Sequence, residues 1–527
     1  MFGNPRVFYG VFVILTLASG AALARWAPAW LWLWGILPVL AVMGAWDLRS
    51  RHNVLRNYPI LGHLRYMLEF VRPELRQYFF ESETSGRPFN REQRDLVNAR
   101  ADGGSDTSPF GTRRDMEGAG FDFVQHSMAP KNVDSRYARL VIGGPQCRLP
   151  YDSSRLNISA MSFGALSGNA VAAMNKGAKL GNFAQDTGEG AISPYHREHG
   201  GDIIWEIASA YFGCRHQDGS FDPDEFKKKA CAEQVKMIEI KISQGAKPGH
   251  GGLLPGSKVN QEIADTREIP VGEDCLSPAS HPEFDTPIGL LQFLARLREL
   301  CGGKPVGFKL CLGHRAEFMG VCKAILETGI QPDFITVDGA EGGTGAAPAE
   351  FSDFIGTYIN EALPFVHNCL VGIGKREEIV VIASGKVALG FDMAEKIALG
   401  ADMCNSARAF MFSVGCIQAQ RCHTNTCPTG VTTQDPARAK SLEVNVKAVR
   451  VRNFHDATVK SLLDIVGTLG LDSPDRLGPE HIFHRPEHGP ARTYADIHPK
   501  VEVGDFLRDA IPEDYLQDWQ QASAQYF

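Results

Sequence analysis

At 527 residues, with 44% hydrophobic and 22% charged side chains, the chain can bury one large domain or two smaller ones and falls outside the disordered class. A formal net charge of −7 and an isoelectric point near 6.2, without any basic run interleaved with aromatics, argue against a nucleic-acid partner. Twelve scattered cysteines do not make a small secreted disulfide framework and fit a reducing compartment.

The chain opens apolar. Val7 to Ala24 is an uncharged stretch of 18 residues, about 27 Å long as a helix, which matches the hydrocarbon core of a bilayer. A second apolar stretch, Ala27 to Trp46, carries Trp30, Trp32, Trp34 and Trp46, and indoles favour the membrane interface. Arg6, the apolar run and Ala22-Leu23-Ala24 also mimic a cleavable secretory signal. The second apolar segment so soon afterwards favours a transmembrane hairpin over residues 1–46 instead. Arg49, Arg51, His52 and Arg56 follow the second segment, whereas Arg25 alone sits between the two. The positive-inside bias therefore predicts a multi-pass inner-membrane protein with both hairpin ends and the catalytic domain on the cytoplasmic side.

Residues 47–145 read as a helical collar and linker. Leu64, Met67, Leu68 and Val71 have helical spacing, and Pro73 predicts a break into two helices. The basic and aromatic residues here either rest on lipid headgroups or pack as a collar on the following domain. From Gly86 to Gly120 the chain is polar and rich in Gly, Asp and Arg, which reads as loop.

From Leu156 onward short apolar strands alternate with helical stretches, the pattern of a parallel β/α sheet. The predicted strands are Leu156–Ala160, Phe183–Asp186, Ile207–Phe212, Met237–Ile242, Val306–Leu310, Phe334–Val337, Ile379–Ala383 and Met403–Asn405. Eight strands predict a closed (β/α)8 TIM barrel, whose chemistry gathers at the C-terminal strand ends. The residues there are Ser162 to Gly164, Thr187 to Gly190, Ser209, Lys247, Lys309, Gly342 to Gly345, Ser384 to Lys386 and Ala407 to Ala409. A lysine in such a place is commonly just solvated or ion-paired.

Glu341-Gly342-Gly343-Thr344-Gly345 lets backbone N–H groups approach a phosphate, and Ser384-Gly385-Lys386 offers a second such turn after the next strand. Either alone reads equally as a plain turn. Two on consecutive strands, with Lys386 and Arg408 nearby, point to the phosphate of FMN. Neither spacing matches a Walker or dinucleotide pattern, so nucleoside triphosphate and NAD sites are unsupported.

Cys416, Cys422 and Cys427 are spaced for one tight loop to gather three thiolates around a cuboidal iron-sulfur cluster, and Pro428-Thr429-Gly430 turns the chain after them. Cys404, the next thiol upstream, falls on a predicted barrel strand, which favours a 3Fe-4S cluster over a four-iron one. A zinc site completed by His423 is the alternative. A disulfide would leave one thiol over.

Together with the cysteine loop, four motifs carry a family resemblance: Ala160 to Ser167, Thr187 to Gly190, Ile238 to Gly249 and Gly339 to Pro348. Their order over residues 146–437 resembles the FMN-binding synthase domain of glutamate synthases. The resemblance implies an oxidoreductase acting on a CH–NH2 group, which forms or oxidises the C–N bond of an amino acid such as glutamate with a 2-oxo acid as partner. It implies FMN and a 3Fe-4S cluster as cofactors. Ala160 and Ser162 would lie along the isoalloxazine, Lys309 near its N1 and O2 edge, and Lys247 between flavin and substrate. Glu189 would be the acid or base, with Ser209 and Arg267 holding a substrate carboxylate. Shorter, membrane-tethered relatives carry a comparable segment ahead of the domain.

One motif departs from the family. Gly-Glu-Gly-Gly-Gln is replaced by Gly249-His250-Gly251-Gly252-Leu253. Losing the amide that contacts 2-oxoglutarate admits another 2-oxo acid, or an N-substituted amino acid as in N-methylglutamate synthase. It also admits a membrane-linked amine-oxidising or electron-transfer subunit that has lost synthase activity. The glutaminase part is not seen, so nitrogen would come as ammonia or from a separate amidotransferase subunit, with an electron donor or acceptor protein as a further partner. Residues 438–527 read as a helical extension with helices over Asn445–Phe454 and Thr458–Gly467, and the tail from His498 shows no chemistry.

Overall fold

Eight short strands pair in parallel all the way round: β1 Leu156–Ile158, β2 Ala184–Asp186, β3 Asp202–Ile207, β4 Val235–Lys241, β5 Val306–Leu310, β6 Phe334–Asp338, β7 Val380–Ser384 and β8 Met403–Ser406. Pairing of β8 with β1, from Cys404 opposite Leu156 to Ser406 opposite Ile158, closes the barrel. This computed structural model describes residues 5–26, 35–508 and 510–527. The chain divides into two compact units, Met1–Pro88 and Phe89–Phe527, so residues 146–437 and 438–527 share one unit and residues 47–145 are divided between the two.

The strands are buried on both faces, as in a parallel sheet covered by helices. The two-residue period of a strand then sorts the barrel interior into layers. Ala184, Ile204, Met237, Phe334, Ile382 and Met403 come from six different strands and form an apolar cluster with Ile142 and Tyr151. Two residues further along, the same faces carry Asp186, Glu206, Glu239, Thr336, Ser384 and Asn405, all buried. On β5 the inward position of the lower layer is Gly307, where a Cβ would stand 2.7 Å from the ring of Phe334. The phenyl ring takes the space that β5 leaves empty.

Several expectations shift. The third strand is Asp202–Ile207, not Ile207–Phe212. Its charged Asp202 and Glu206 hide a strand in which Trp205 packs outward and Glu206 inward, and Ser209 comes two residues after it. Within the stretch read as loop, Arg91–Ala101 is a helix, opened by a capping box between Asn90 and Gln93. Its buried face is carried by Val97 and Ala101 with Arg94 and Arg100, too few apolar residues to announce a helix. The two C-terminal helices are one, Val444–Thr468. It lies against helix Gly168–Gly181, where Gly177 admits Val451 so closely that a Cβ would come within 2.4 Å of it.

In the N-terminal unit, helix Gly62–Leu75 runs through Pro73 and widens into a π-turn at Arg76–Phe80, so the proline does not break it. Helix Pro5–Trp26 packs on Ile36–Asp47: the Tyr9 hydroxyl donates to the Ala41 carbonyl, and Gly44 leaves room for the Tyr9 ring. Among the described residues only the first of these is long and apolar enough to cross a membrane, and the second has 12 residues. The multi-pass expectation therefore narrows to one candidate span, since Trp30, Trp32 and Trp34 of the expected second span lie outside the described residues.

Candidate active site

The loop after β2 is built on glycines so that it can lie against the loop after β1. A Cβ on Gly188, at φ 64°, would strike the Ser162 amide nitrogen at 2.6 Å. One on Gly190 would come within 2.8 Å of both Ser162 and the Arg267 guanidinium. Between them Glu189 accepts a 2.7 Å ion-paired hydrogen bond from Lys241, the last residue of β4. On the other side of the carboxylate lies Gly252, whose Cβ would stand 3.0 Å from Glu189 Oε1.

The segment between β4 and β5 supplies two more cations. Lys247 is buried and donates to the Gly251 carbonyl at 2.7 Å. Arg267 ends helix Gln261–Arg267, where Glu268 takes the left-handed conformation at φ 60°. Its Nη2 donates to Ser162 Oγ at 3.3 Å and to the Phe163 carbonyl at 3.0 Å, and its guanidinium lies 5.4 Å from the Phe212 ring. The Arg267 Nε is buried without an acceptor. Ser209 donates to the Pro278 carbonyl, while Leu253 and Leu254 pair with Leu276 and Cys275 as a small antiparallel ribbon.

Burial alone would raise the Glu189 carboxyl, but Lys241, then Lys247 and Arg267, hold it down at about 2. Burial lowers the Lys247 ammonium, and Glu189 opposes the shift. The mouth thus holds one ionised carboxylate among three cations, a surplus of positive charge suited to anionic substrates.

Beneath it, Lys309 is ion-paired with Glu206 and, at 3.5 Å, with Glu239. Glu239 also accepts from Thr336. Burial and the neighbouring Asp186 push Glu239 well above the usual carboxylate range, and burial raises Asp186 as well. Asp186, Glu206 and Glu239 are the one set among the described residues with three ligand atoms within 4.8 Å of one another, and the Lys309 ammonium already takes a cation's place beside two of them. Sequence reasoning found Lys309 but passed over Lys241 and these three acids. Their signal was charge inside strands, at every second position of Ile204-Trp205-Glu206 and Met237-Ile238-Glu239-Ile240-Lys241.

At the ends of β6 and β7 the two Gly-containing turns meet. The N–H groups of Gly343 and Gly385 find no acceptor among the described residues. Arg408 donates to the Glu341 carbonyl at 2.8 Å, lies 4.9 Å from the Phe89 ring, and would be 3.2 Å from a Cβ on Gly343. Gly342 fits against the Ala246 amide, and Gly385 against the Glu341 carboxyl. Ser384 Oγ meets Ser159 Oγ at 3.2 Å, Ala160 follows half-buried, and Thr344 and Gly345 are exposed. Lys386 holds φ 47°, a left-handed turn for a side-chain-bearing residue. Unpaired N–H groups beside a guanidinium suit a phosphate.

The cysteine loop joins this cradle, since a Cβ on Gly345 would stand 3.1 Å from the Cβ of Cys422. Gln434, just past the loop, donates to the carbonyls of Gly164 and Leu166 after β1. Burial raises the Cys416 thiol to about 12 and also lifts Cys422. At Cys427 burial is outweighed by hydrogen bonds from Thr429 and Thr432, which bring it to about 7. The three sulfurs do not all lie within 4.8 Å of one another. Thiolates on one tetrahedral zinc ion would be about 3.8 Å apart, closer than all three sulfurs lie here. His423 is exposed.

A family model described as "Conserved region in glutamate synthase" matches residues 142–472. The chain is 37% identical over 501 residues to the glutamate synthase large subunit-like protein YerD of Bacillus subtilis, covering 86% of this chain and 95% of that one. It is 36% identical over 358 residues to the archaeal glutamate synthase [NADPH] of Methanocaldococcus jannaschii, covering 68% of this chain and 66% of that one. Among solved structures, a mandelate oxidase variant carrying an FMN adduct covers 82% of this chain and 99% of its own, at 13% identity and a TM-score of 0.40. On the family model and the extent of the Bacillus match, the chain belongs to the glutamate synthase family.

Proposed function

We propose that the chain is a glutamate synthase-like oxidoreductase that forms, or in reverse oxidises, the C–N bond between a 2-oxo acid and nitrogen. The observation that carries this reading is the grouping of Lys241, Lys247 and Arg267 around ionised Glu189 at the barrel mouth. Lys241 is spent on Glu189, which leaves Arg267 for a substrate carboxylate beside Lys247, a positive surplus that favours an anionic oxo acid such as 2-oxoglutarate. FMN held by Ala160, Ser162, Gly342, Gly343, Thr344, Gly345, Ser384, Gly385 and Arg408 would supply hydride chemistry, and a 3Fe-4S cluster on Cys416, Cys422 and Cys427 single electrons.

The chain's own part is charge and protons. Arg267 and Ser209 hold the carboxylate next to the reacting carbon. Glu189, ionised at neutral pH, accepts hydrogen bonds from the amino nitrogen. Lys247, made more acidic by burial, is the proton donor that completes the amine and takes the proton back in the reverse direction. Ammonia or a separate amidotransferase subunit would supply nitrogen, and a partner protein would exchange electrons.

The exposed Ile14, Leu15 and Leu17 of helix Pro5–Trp26 support a membrane tether. Arg49, Arg51 and Arg56 support a cytoplasmic catalytic domain at the inner membrane.

Anaerobic mixing tests the reading. The purified chain should be coloured and should bleach with glutamate, or reoxidise with 2-oxoglutarate and ammonium once reduced. Colour that responds to no amino acid or oxo acid would instead favour the electron-transfer subunit, a reading supported by apolar Leu253 in the pocket ribbon. A colourless chain without iron or flavin would overturn both.

A further inference from the structure

Another buried cation has no part in the substrate site. Lys258 is 3% exposed and donates to the Cys422 carbonyl at 2.8 Å and the Thr432 carbonyl at 3.2 Å. Among the described residues it has no carboxylate partner, and the only ionisable groups acting on it are the thiols of Cys422 and Cys427. A buried ammonium without a counter-ion is strongly disfavoured, and a hydrocarbon side chain would fill the same space without that cost.

The position is built with care. Lys258 ends the short turn Gly256–Lys258, which is pinned by the Gly256 N–H donating to Asp274 at 2.7 Å and the Lys258 N–H donating to the Pro255 carbonyl at 2.9 Å. The same inter-strand segment delivers Lys247 and Arg267 to the substrate side. Its middle turn delivers Lys258 to the cysteine side. The missing counter-charge is therefore to be sought on the cysteine loop. An iron-sulfur group on three thiolates is anionic and gains one more negative charge when reduced, so a fixed cation beside it favours the reduced form.

We infer that Lys258 is the resident counter-charge of the group held by Cys416, Cys422 and Cys427, a positioning residue that tethers the cysteine loop and raises that group's reduction potential. The inference rests on the iron-sulfur reading above.

The test uses the full chain, purified without oxygen, with iron and sulfide analysis and a redox titration followed by electron paramagnetic resonance. Lys258→Gln keeps N–H donors but loses the charge, Lys258→Met loses both, and Lys258→Arg keeps both. The expected result is a lower midpoint potential in the Gln and Met variants, near-native potential with Arg, and the largest iron loss with Met. Should Met fail to fold, Gln against Arg still separates charge from tethering. A Gln variant that keeps its iron and the wild-type potential would overturn the inference while leaving the iron-sulfur reading intact. Absence of iron from the wild-type chain would overturn both.

Discussion

Gly345 backs onto Cys422 so closely that a Cβ on the glycine would lie 2.9 Å from the cysteine's carbonyl carbon. The phosphate-type turn after β6 and the cysteine loop are thus one packed surface. Gly345→Val should displace the cysteine loop, with an overpacking cost of about 1 to 3 kcal/mol. The expected outcome is loss of most iron with flavin largely retained, measured by iron and flavin content per chain. Equal loss of both would mean that the variant disturbs the barrel rather than the contact.

Glu189 and Lys247 predict a pH profile. The Glu189 carboxyl falls from an ordinary 4.5 to about 2 in the folded chain, so its share of stability is present above the ordinary value and is lost as pH falls toward 2. Wild type should lose more stability than Glu189→Gln between those values, read by denaturant melts. Lys247 titrates below its ordinary 10.5, so turnover should decline at alkaline pH as the ammonium loses its proton. Lys247→Met should lack that alkaline limb and lose roughly 100-fold or more in rate.

Lys309 is the cation paired with Glu206 and Glu239 inside the barrel. Lys309→Met leaves those buried acids uncompensated and should cost about 3 to 5 kcal/mol. Adding Glu206→Gln should recover part of the loss, because a neutral amide does not need the ammonium. Denaturant unfolding of the single and double variants checks both statements.

Arg267 should act on substrate binding. Arg267→Gln removes the fork that would meet a carboxylate, a charge-assisted pair worth about 1.5 to 3 kcal/mol, or roughly 10- to 100-fold in KM. Flavin content should be unchanged. A variant with normal KM and depleted flavin would assign Arg267 to the cofactor.

Helix Pro5–Trp26 gives the tether prediction. A chain lacking residues 1–46 should move from carbonate-washed membranes to the soluble fraction with its spectrum intact. Full-length chain found soluble after lysis without detergent would remove the membrane from the account.

Much of this architecture was legible because parallel strands buried on both faces announce themselves as apolar runs. β5 was read at its observed bounds, and β6, β7 and β8 to within one residue. β3 was misplaced because Glu206 belongs to a charged layer inside the barrel, and inward charge defeats a search for apolar runs. Pro73 was read as a break, but the helix carries on through it to Leu75 and into the turn Arg76–Phe80. Within the site, motif residues such as Glu189 and Lys247 were found by their place after strands. Lys241 and Lys258 were not, since their meaning arises only from partners distant in the chain, Glu189 and Cys422.

The ring of Phe334, lying where Gly307 has no side chain, has a consequence for traffic. With that apolar layer packed across the lower end, the polar mouth is the side left for traffic, so under the proposed reaction an amino acid that lingers there should compete with its own oxo acid.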